Sequence, residues 1–102
     1  MNAIRFPIRH RGDLASGKRC ITIRYGSELG RFTTGSMYSA VSYAGNGLDL
    51  SVHVKAVRRT TAGKLSGYGI ARRGVEALLE RSNVTVETPV DVIRFTTRNL
   101  GS

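Results

Sequence analysis

Hydrophobic and polar residues alternate along several short segments of the chain, which predicts a mainly β protein. Residues 3–9 alternate, and Pro7 within them cannot donate to a β-ladder, so this segment is predicted to be an edge strand. Residues 20–25 and 37–43 are two further predicted strands. The longest alternation, over residues 48–57, follows a turn rich in glycine and asparagine, which predicts a β-hairpin with residues 37–43.

In the second half of the chain, the spacing of apolar residues changes from that of a strand to that of a helix. Apolar residues recur there at helical spacing and predict one amphipathic helix, with Ala71, Val75, Leu78 and Leu79 on its apolar face. Residues 60–69 are predicted to be a mobile polar connection, and residues 84–87 and 90–96 to be two closing strands. A short helical turn is predicted to end at Gly17. The predicted fold class is α+β and mainly β: a barrel of five to six strands with one helix and a short helical turn, in a single domain of 102 residues.

The strand predicted at residues 20–25 is the leading candidate for a ligand site. Its two faces carry Ile21, Ile23 and Tyr25 on one side and Cys20, Thr22 and Arg24 on the other. Just before it, Gly17 forms a flexible corner with the cations Lys18 and Arg19. A hydroxyl and a guanidinium beside a basic corner suit a phosphate group or a polar base edge. The alternative is a half-buried strand with a solvated polar face.

The charge of the chain makes nucleic acid the first partner to consider. Sixteen Lys and Arg residues against seven Asp and Glu residues give a net charge of +9. Six of the cations lie in residues 50–75, which hold no acidic residue: Lys55, Arg58, Arg59, Lys64, Arg72 and Arg73. Six more lie in residues 1–24, where Asp13 is the one acidic residue. The two stretches are predicted to form one basic surface; the alternative is two separate patches that only keep the protein soluble.

Other classes of site have little support in the sequence. The single Cys20 cannot form an intramolecular disulfide, and no apolar run is long enough to span a bilayer, so a reducing, cytoplasmic setting without membrane contact is expected. His10, His53 and Cys20 lack the spacing of metal ligands, so no metal site is predicted. No cofactor is expected. For covalent chemistry, Thr22 is the one hydroxyl in a promising setting.

Taken in order, these residues resemble an ASCH domain, a relative of the PUA barrel, and in particular the short bacterial N4-acetylcytidine amidohydrolases. The signature Gly-x-Lys-x-x-Thr-x-Arg aligns with residues 17–24, with Arg19 at its Lys position, after an Ile-x-Phe opening strand at residues 4–6. A Phe-x-x-Gly segment at 32–35, a hairpin around Gly47 and a Val-Ile-x-Phe strand at 92–95 follow. The resemblance implies a five- or six-stranded barrel whose cleft is lined by the signature and acts on RNA or modified nucleosides.

The resemblance also implies site residues. In the amidohydrolases the signature Lys acts as base, the Thr as nucleophile and a Glu near the helix as proton donor. Thr22 and Arg24 match the signature, but Arg19 occupies the Lys position, with Lys18 beside it. Glu76 is a displaced candidate for the Glu. Because arginine stays protonated, it cannot act as a general base, so binding is favoured over hydrolysis.

Three hypotheses follow. In the first, a small RNA- or nucleotide-binding module without hydrolase activity holds phosphate or a base edge with Lys18, Arg19, Thr22 and Arg24, and its footprint is extended by Arg58, Arg59, Arg72 and Arg73. In the second, the protein is an N4-acetylcytidine amidohydrolase or a ribonuclease that uses Thr22, with Lys18 or Glu76 in place of the missing groups. In the third, it is a regulatory protein, for example one encoded by a phage, that binds an acidic protein partner.

Overall fold

The computed structural model describes residues 2–81 and 83–100 as one five-stranded sheet with two α-helices. In chain order the strands and α-helices are β1 (Ala3–Arg5), α1 (Arg11–Ser16), β2 (Ile21–Tyr25), β3 (Met37–Val41), β4 (Gly47–Thr61), α2 (Arg72–Leu79) and β5 (Pro89–Asn99). Three 3-10 segments join them: Ile8–His10, Gly26–Glu28 and Ala62–Tyr68. The mixed α+β class expected from the sequence is therefore present. In the part of the chain that the structure describes, no helix is long and apolar enough to cross a membrane.

The sheet is not closed, so the barrel of five to six strands expected from the sequence is not confirmed. The strand order is β1-β3-β4-β5-β2, in which β1 pairs with β3 in parallel and every other pair is antiparallel. This order leaves β1 and β2 as the two edges. β1 ends after three residues because Pro7 has no N–H for a ladder and the chain then enters the 3-10 turn Ile8–His10. A strand this short cannot complete a closed ladder, and a seam remains between β1 and β2.

Two apolar clusters cover the two faces of the sheet. The first fills the concave side with side chains from β1, α1, β3, β4 and β5, together with Phe32 from the loop after β2. The second lies between the other face of β2 and β5 and the segment that contains α2; its fully buried members include Leu65, Val90 and Val92. Ile21 and Ile23 pack against this second cluster, as the alternation along β2 predicted. Residues 22 and 24, on the opposite face, are turned toward the first.

Several predicted elements lie at the expected positions in the chain but begin or end at other residues than predicted. Gly17 ends α1 with a φ of 81°, the left-handed conformation in which glycine is favoured, and the β3–β4 hairpin and α2 lie where they were predicted. Residues 60–69 are not a mobile connection: they finish β4 and form the 3-10 segment Ala62–Tyr68, in which Ala62 and Leu65 are buried. The strand predicted at residues 84–87 is wrong, because this stretch is a turn closed by a hydrogen bond from the Thr88 N–H to the Thr85 carbonyl at 3.1 Å.

The alternation along β4 also breaks once. Leu50 to Val54 alternate as predicted, but the register with β5 shifts between Val54 and Ala56. The extra residue, Lys55, is a β-bulge, and a bulge reverses which side chains face the core. Val57 consequently packs against the first cluster, although simple alternation had placed it on the polar face.

A candidate nucleic-acid cleft at the open seam

A cleft of about 970 Å³ runs along β2, next to the segment that follows β1. Every residue from Lys18 to Glu28 lines it, which means that the whole of β2 with its two flanking corners forms one side. Segments after β1 and from the α2 region form the remainder. The volume is at the upper end of the range of roughly 300–1,000 Å³ found for small-ligand pockets. The free edge of β2 is therefore part of a cleft large enough for a small ligand.

The edge of β2 contributes backbone as well as side chains. Phe95 N–H donates to the carbonyl of Cys20 at 2.9 Å, so the residues paired with β5 by hydrogen bonds are 20, 22 and 24. In an antiparallel pair the intervening residues turn their N–H and C=O groups away from the neighbouring strand. The backbone groups of Ile21 and Ile23 thus point to the free edge along which the cleft runs.

The basic corner is fixed by the end of α1. After Gly17 the chain reverses, and the N–H of Arg19 donates to the carbonyl of Asp13 at 3.0 Å. This bond holds Lys18 and Arg19 against the helix at the mouth of the cleft, with the Lys18 side chain exposed. The Nε of Arg19 is buried and has no hydrogen-bond acceptor among the described residues. Because this atom is closed off from solvent, the groups that Arg19 and Lys18 can offer to an anion in the cleft are the terminal guanidinium nitrogens and the ammonium group.

Arg24 is buried and holds the two edges of the sheet together. Its guanidinium donates through Nη2 to the carbonyl of Arg5 in β1 at 2.7 Å, through Nη1 to Oε2 of Glu28 at 2.9 Å and through Nε to Oγ1 of Thr22 at 3.1 Å. Its central carbon lies 5.0 Å from the ring centre of Phe6 and 5.8 Å from that of Phe32, within cation–π range. With every nitrogen engaged, Arg24 positions Thr22 and Glu28 rather than offering a free fork to a ligand.

Glu28 is the site residue that sequence reasoning missed. It belongs to the 3-10 turn Gly26–Glu28, which follows β2 directly because Gly26 adopts a φ of 65°. This turn brings the carboxylate back over Arg24, four residues earlier, and into the lining of the cleft. The available signal was the four-residue spacing of an Arg and a Glu around a glycine, a spacing at which opposite charges meet when the chain turns helically.

The lining of the cleft is cationic in one part and apolar in another. Residues 9–19 contribute Arg9, Lys18 and Arg19, while the α2 region contributes an apolar surface made of Ile70, Ala77 and Leu78. In all, the described lining carries five Lys and Arg residues against the carboxylates of Asp13 and Glu28. A ligand that combines a flat apolar group with negative charge matches both parts.

His10 also lines the cleft and is kept uncharged there. Burial lowers the pKa of His10, and the neighbouring cations Arg19 and Arg9 lower it further, against a smaller opposing effect of Asp13. An imidazole whose pKa lies below its usual value is neutral at pH 7. An anion bound beside it would offset the two cations and raise that pKa.

The remaining sequence candidates lie outside this lining. Arg58 and Arg59 are exposed on β4, and Arg59 forms an ion pair with Asp91 at 2.6 Å. Arg72 and Arg73 are exposed at the start of α2, where Arg72 pairs with Glu76 at 3.1 Å. The structure thus brings Lys18, Arg19, Thr22 and Arg24 together and keeps Arg58, Arg59, Arg72, Arg73 and Glu76 apart from them. Within residues 2–81 and 83–100, no group of His, Cys, Asp and Glu residues could hold a metal ion.

Comparison with known proteins gives a match at the level of the fold. No protein-family model matches the sequence, and neither does any curated protein. Crystal structures of two single-residue mutants of ZmASCH from Zymomonas mobilis are similar, each with a TM-score of 0.65 and 12% identity. The superpositions cover 96% and 92% of this chain and, in both cases, 67% of the ZmASCH chain. The chain therefore has an ASCH-like fold.

Proposed function

We propose that this protein binds RNA or a nucleotide in the cleft and does not hydrolyse it. The observation that carries the proposal is the lining of the cleft, in which the cations Arg9, Lys18 and Arg19 lie beside an apolar part. A phosphate oxygen accepts hydrogen bonds from a guanidinium and balances the excess positive charge. A nucleobase has a flat apolar face that suits the surface formed by Ile70, Ala77 and Leu78.

The absence of hydrolysis rests on the chemistry of proton transfer. A threonine hydroxyl is a weak nucleophile unless a neighbouring base removes its proton. In the described part of the chain the partner of the Thr22 oxygen is the Nε of Arg24, a donor that stays protonated. Arg19, at the position where the amidohydrolases carry lysine, cannot accept a proton either. Glu76, the displaced candidate, is paired with Arg72 on the outer side of α2. In the binding role the Thr22 hydroxyl can donate its hydrogen to a ligand.

The test is a titration of fluorescent single-stranded RNA at several salt concentrations, with Arg19→Gln as the variant. We expect log affinity to fall linearly with log salt concentration, because each bound phosphate releases counterions. Arg19→Gln should weaken binding about tenfold or more, which corresponds to one charge-assisted hydrogen bond. Arg98→Gln is the charge-matched control, since Arg98 is exposed on β5 outside the cleft lining. Binding that is absent at low salt, or that both variants weaken equally, would contradict the proposal.

A second candidate function rests on the row Thr22, Arg24 and Glu28. This row places a hydroxyl and a carboxylate in the same cleft, joined through one guanidinium. It favours, as the alternative, an amidohydrolase acting on acetylated cytidine or a ribonuclease in which Glu28 supplies the carboxylate. Incubation with N4-acetylcytidine, or with RNA, followed by chromatography tests it. Product that Thr22→Ala abolishes would replace the binding proposal with the enzymatic one.

A further inference from the structure

Tyr43 is a large aromatic side chain left in solvent at the edge of the cleft. It is 64% exposed and lines the cleft together with Pro7 and Arg9. The other described tyrosines are buried or half-buried. A single exposed apolar side chain needs no explanation. An exposed aromatic ring that lines a basic cleft, however, can stack on a nucleobase.

The strand register shows why Tyr43 lies there. β1 and β3 run in parallel with Arg5 opposite Val41, and Phe6 N–H donates to the Val41 carbonyl at 2.9 Å. Pro7 and Tyr43 each follow the last paired residue of their strand by two positions, and both line the cleft. The cation Arg9 follows Pro7 in the 3-10 turn Ile8–His10. An exposed aromatic ring and a cation therefore line the same cleft as Arg24.

We infer that Tyr43 is a base-stacking platform and that the ligand of the cleft is single-stranded RNA rather than duplex RNA or a free phosphate. The inference rests on the proposed function and adds the class of RNA. Stacking on a side chain requires an unstacked base, and single strands provide one at low cost. In duplex RNA the bases are already stacked on each other, and only the backbone would reach the cations. Arg9 and Arg19 would then follow the backbone while Tyr43 takes the base at the exit of the cleft.

The experiment compares Tyr43→Ala and Tyr43→Phe for binding of a short single-stranded RNA, the same RNA as a duplex, and inorganic polyphosphate. Tyr43→Ala should weaken single-strand binding about 5- to 150-fold, the loss typical of one stacked base. Tyr43→Phe keeps the ring and should bind within about twofold of the wild type, because stacking uses the ring face and not the hydroxyl. The matched control is Met37→Ala, which removes a side chain that is 47% exposed and lies outside the cleft lining.

The outcomes separate this inference from the proposed function. Selective weakening of single-strand binding by Tyr43→Ala, with polyphosphate binding unchanged, supports the stacking role. Wild-type affinity in Tyr43→Ala, with Arg19→Gln still impaired, overturns the stacking role and leaves the proposed function standing. A duplex bound as tightly as the single strand also overturns it. Absence of salt-dependent binding to any of the three ligands overturns both.

Discussion

Two arginine–carboxylate pairs lie on neighbouring strands of the same sheet, and they are built in opposite ways. In the pair on β2, Arg24 is 5% exposed and its partner Glu28 is 32% exposed. In the pair between β4 and β5, Arg59 is 56% exposed and its partner Asp91 is 2% exposed. The buried member is the cation in the first pair and the anion in the second. Because Arg24 and Asp91 are also directly opposite each other across β2 and β5, the two pairs form one row across three strands.

The difference shows which pair is connected to the cleft. Asp91 uses its second oxygen to accept the N–H of Gly30 at 2.7 Å, so the Arg59 pair fastens the loop after β2 onto the sheet. None of these three residues lines the cleft. Arg24 and Glu28 do line it, and Arg24 also spans the seam to β1. The same two functional groups therefore attach a loop to the sheet in one place and support the proposed binding cleft in the other.

The largest expected effect is on stability when Arg24 is removed. Arg24→Leu leaves the carbonyl of Arg5 without its donor and Glu28 without its cation, and it removes the cation–π contact with Phe6. We expect a loss of about 3–4 kcal/mol in the free energy of unfolding, as is typical when one member of a buried pair is deleted. Urea denaturation measures it. The matched control is Arg98→Leu, an exposed arginine on β5, which should change the free energy by less than about 0.5 kcal/mol.

A loss in Arg24→Leu as small as in the control would mean that the seam is not held by this residue. The prediction also limits how Arg24 is used in binding tests. A variant that unfolds also loses RNA binding, which says nothing about contact with RNA. Arg19, which is only half-buried, is the better residue for testing the cleft.

Asp91→Asn gives the next largest effect, with a characteristic pH dependence. Burial works to raise the pKa of Asp91, but the hydrogen bonds from Arg59 and Gly30 and the charge of Arg59 together hold it below its usual value. A carboxyl group whose pKa is lower in the folded state stabilises the fold above its unfolded pKa of about 3.9, and this stabilisation disappears as the pH falls through the folded value. At pH 7 the variant should be about 2 kcal/mol less stable than the wild type.

The measurement for Asp91→Asn is the difference in urea stability between variant and wild type as a function of pH. This difference should be constant from about pH 7 to pH 5 and shrink below about pH 4. A difference that grows on acidification would contradict the assignment. RNA affinity should stay at the wild-type value at pH 7, since Asp91 is outside the cleft.

The sequence predicted the elements that depend on local pattern and missed those that depend on distant partners. The helix at 72–79 and the hairpin at Gly47 follow from spacing and turn chemistry. The alternation on β2 separated Thr22 and Arg24 from the apolar side chains correctly. It could not show that Arg24 is buried, because its aromatic neighbours Phe6 and Phe32 come from other segments.

The bulge in β4 and the opening between β1 and β2 could not be predicted for a related reason. A β-bulge such as the one at Lys55 has no fixed sequence signal, because it is set by the register with a partner strand. Whether a sheet closes depends on how far its edge strands extend, and β1 proved to be three residues long where seven had been expected. The site was therefore predictable as a strand with a basic corner, but its shape as a cleft between β2, the segment after β1 and the α2 region was not.

Glu28→Gln sharpens the comparison between the two pairs. The variant keeps the size of the side chain and removes one negative charge from the cleft lining. RNA affinity at low salt should rise about two- to fivefold, the size expected for one charge acting over several ångströms in a partly solvated site. The free energy of unfolding should fall by about 1 kcal/mol, less than in Arg24→Leu, because Arg24 keeps its hydrogen bonds to the Thr22 hydroxyl and to the Arg5 carbonyl.

The control for Glu28→Gln is Asp91→Asn, which removes the same charge from the other pair. Equal gains in affinity in both variants would show that only net charge matters and that the cleft is not where RNA binds. A gain confined to Glu28→Gln would separate the two pairs by function as well as by position.

The smallest effect is expected from the arginines at the start of α2. Arg72 and Arg73 lie outside the cleft lining, and Arg72 is engaged with Glu76 at the surface, where an ion pair contributes little to stability. The double variant Arg72→Gln, Arg73→Gln should therefore weaken RNA binding by less than about threefold, through the long-range field alone, and this loss should vanish at high salt. Arg19→Gln, which removes only one charge, should weaken binding more and should still do so at high salt. If the double variant loses more affinity than Arg19→Gln, the footprint extends over α2 as the charge distribution of the sequence suggested, and the cleft is only part of a wider basic surface.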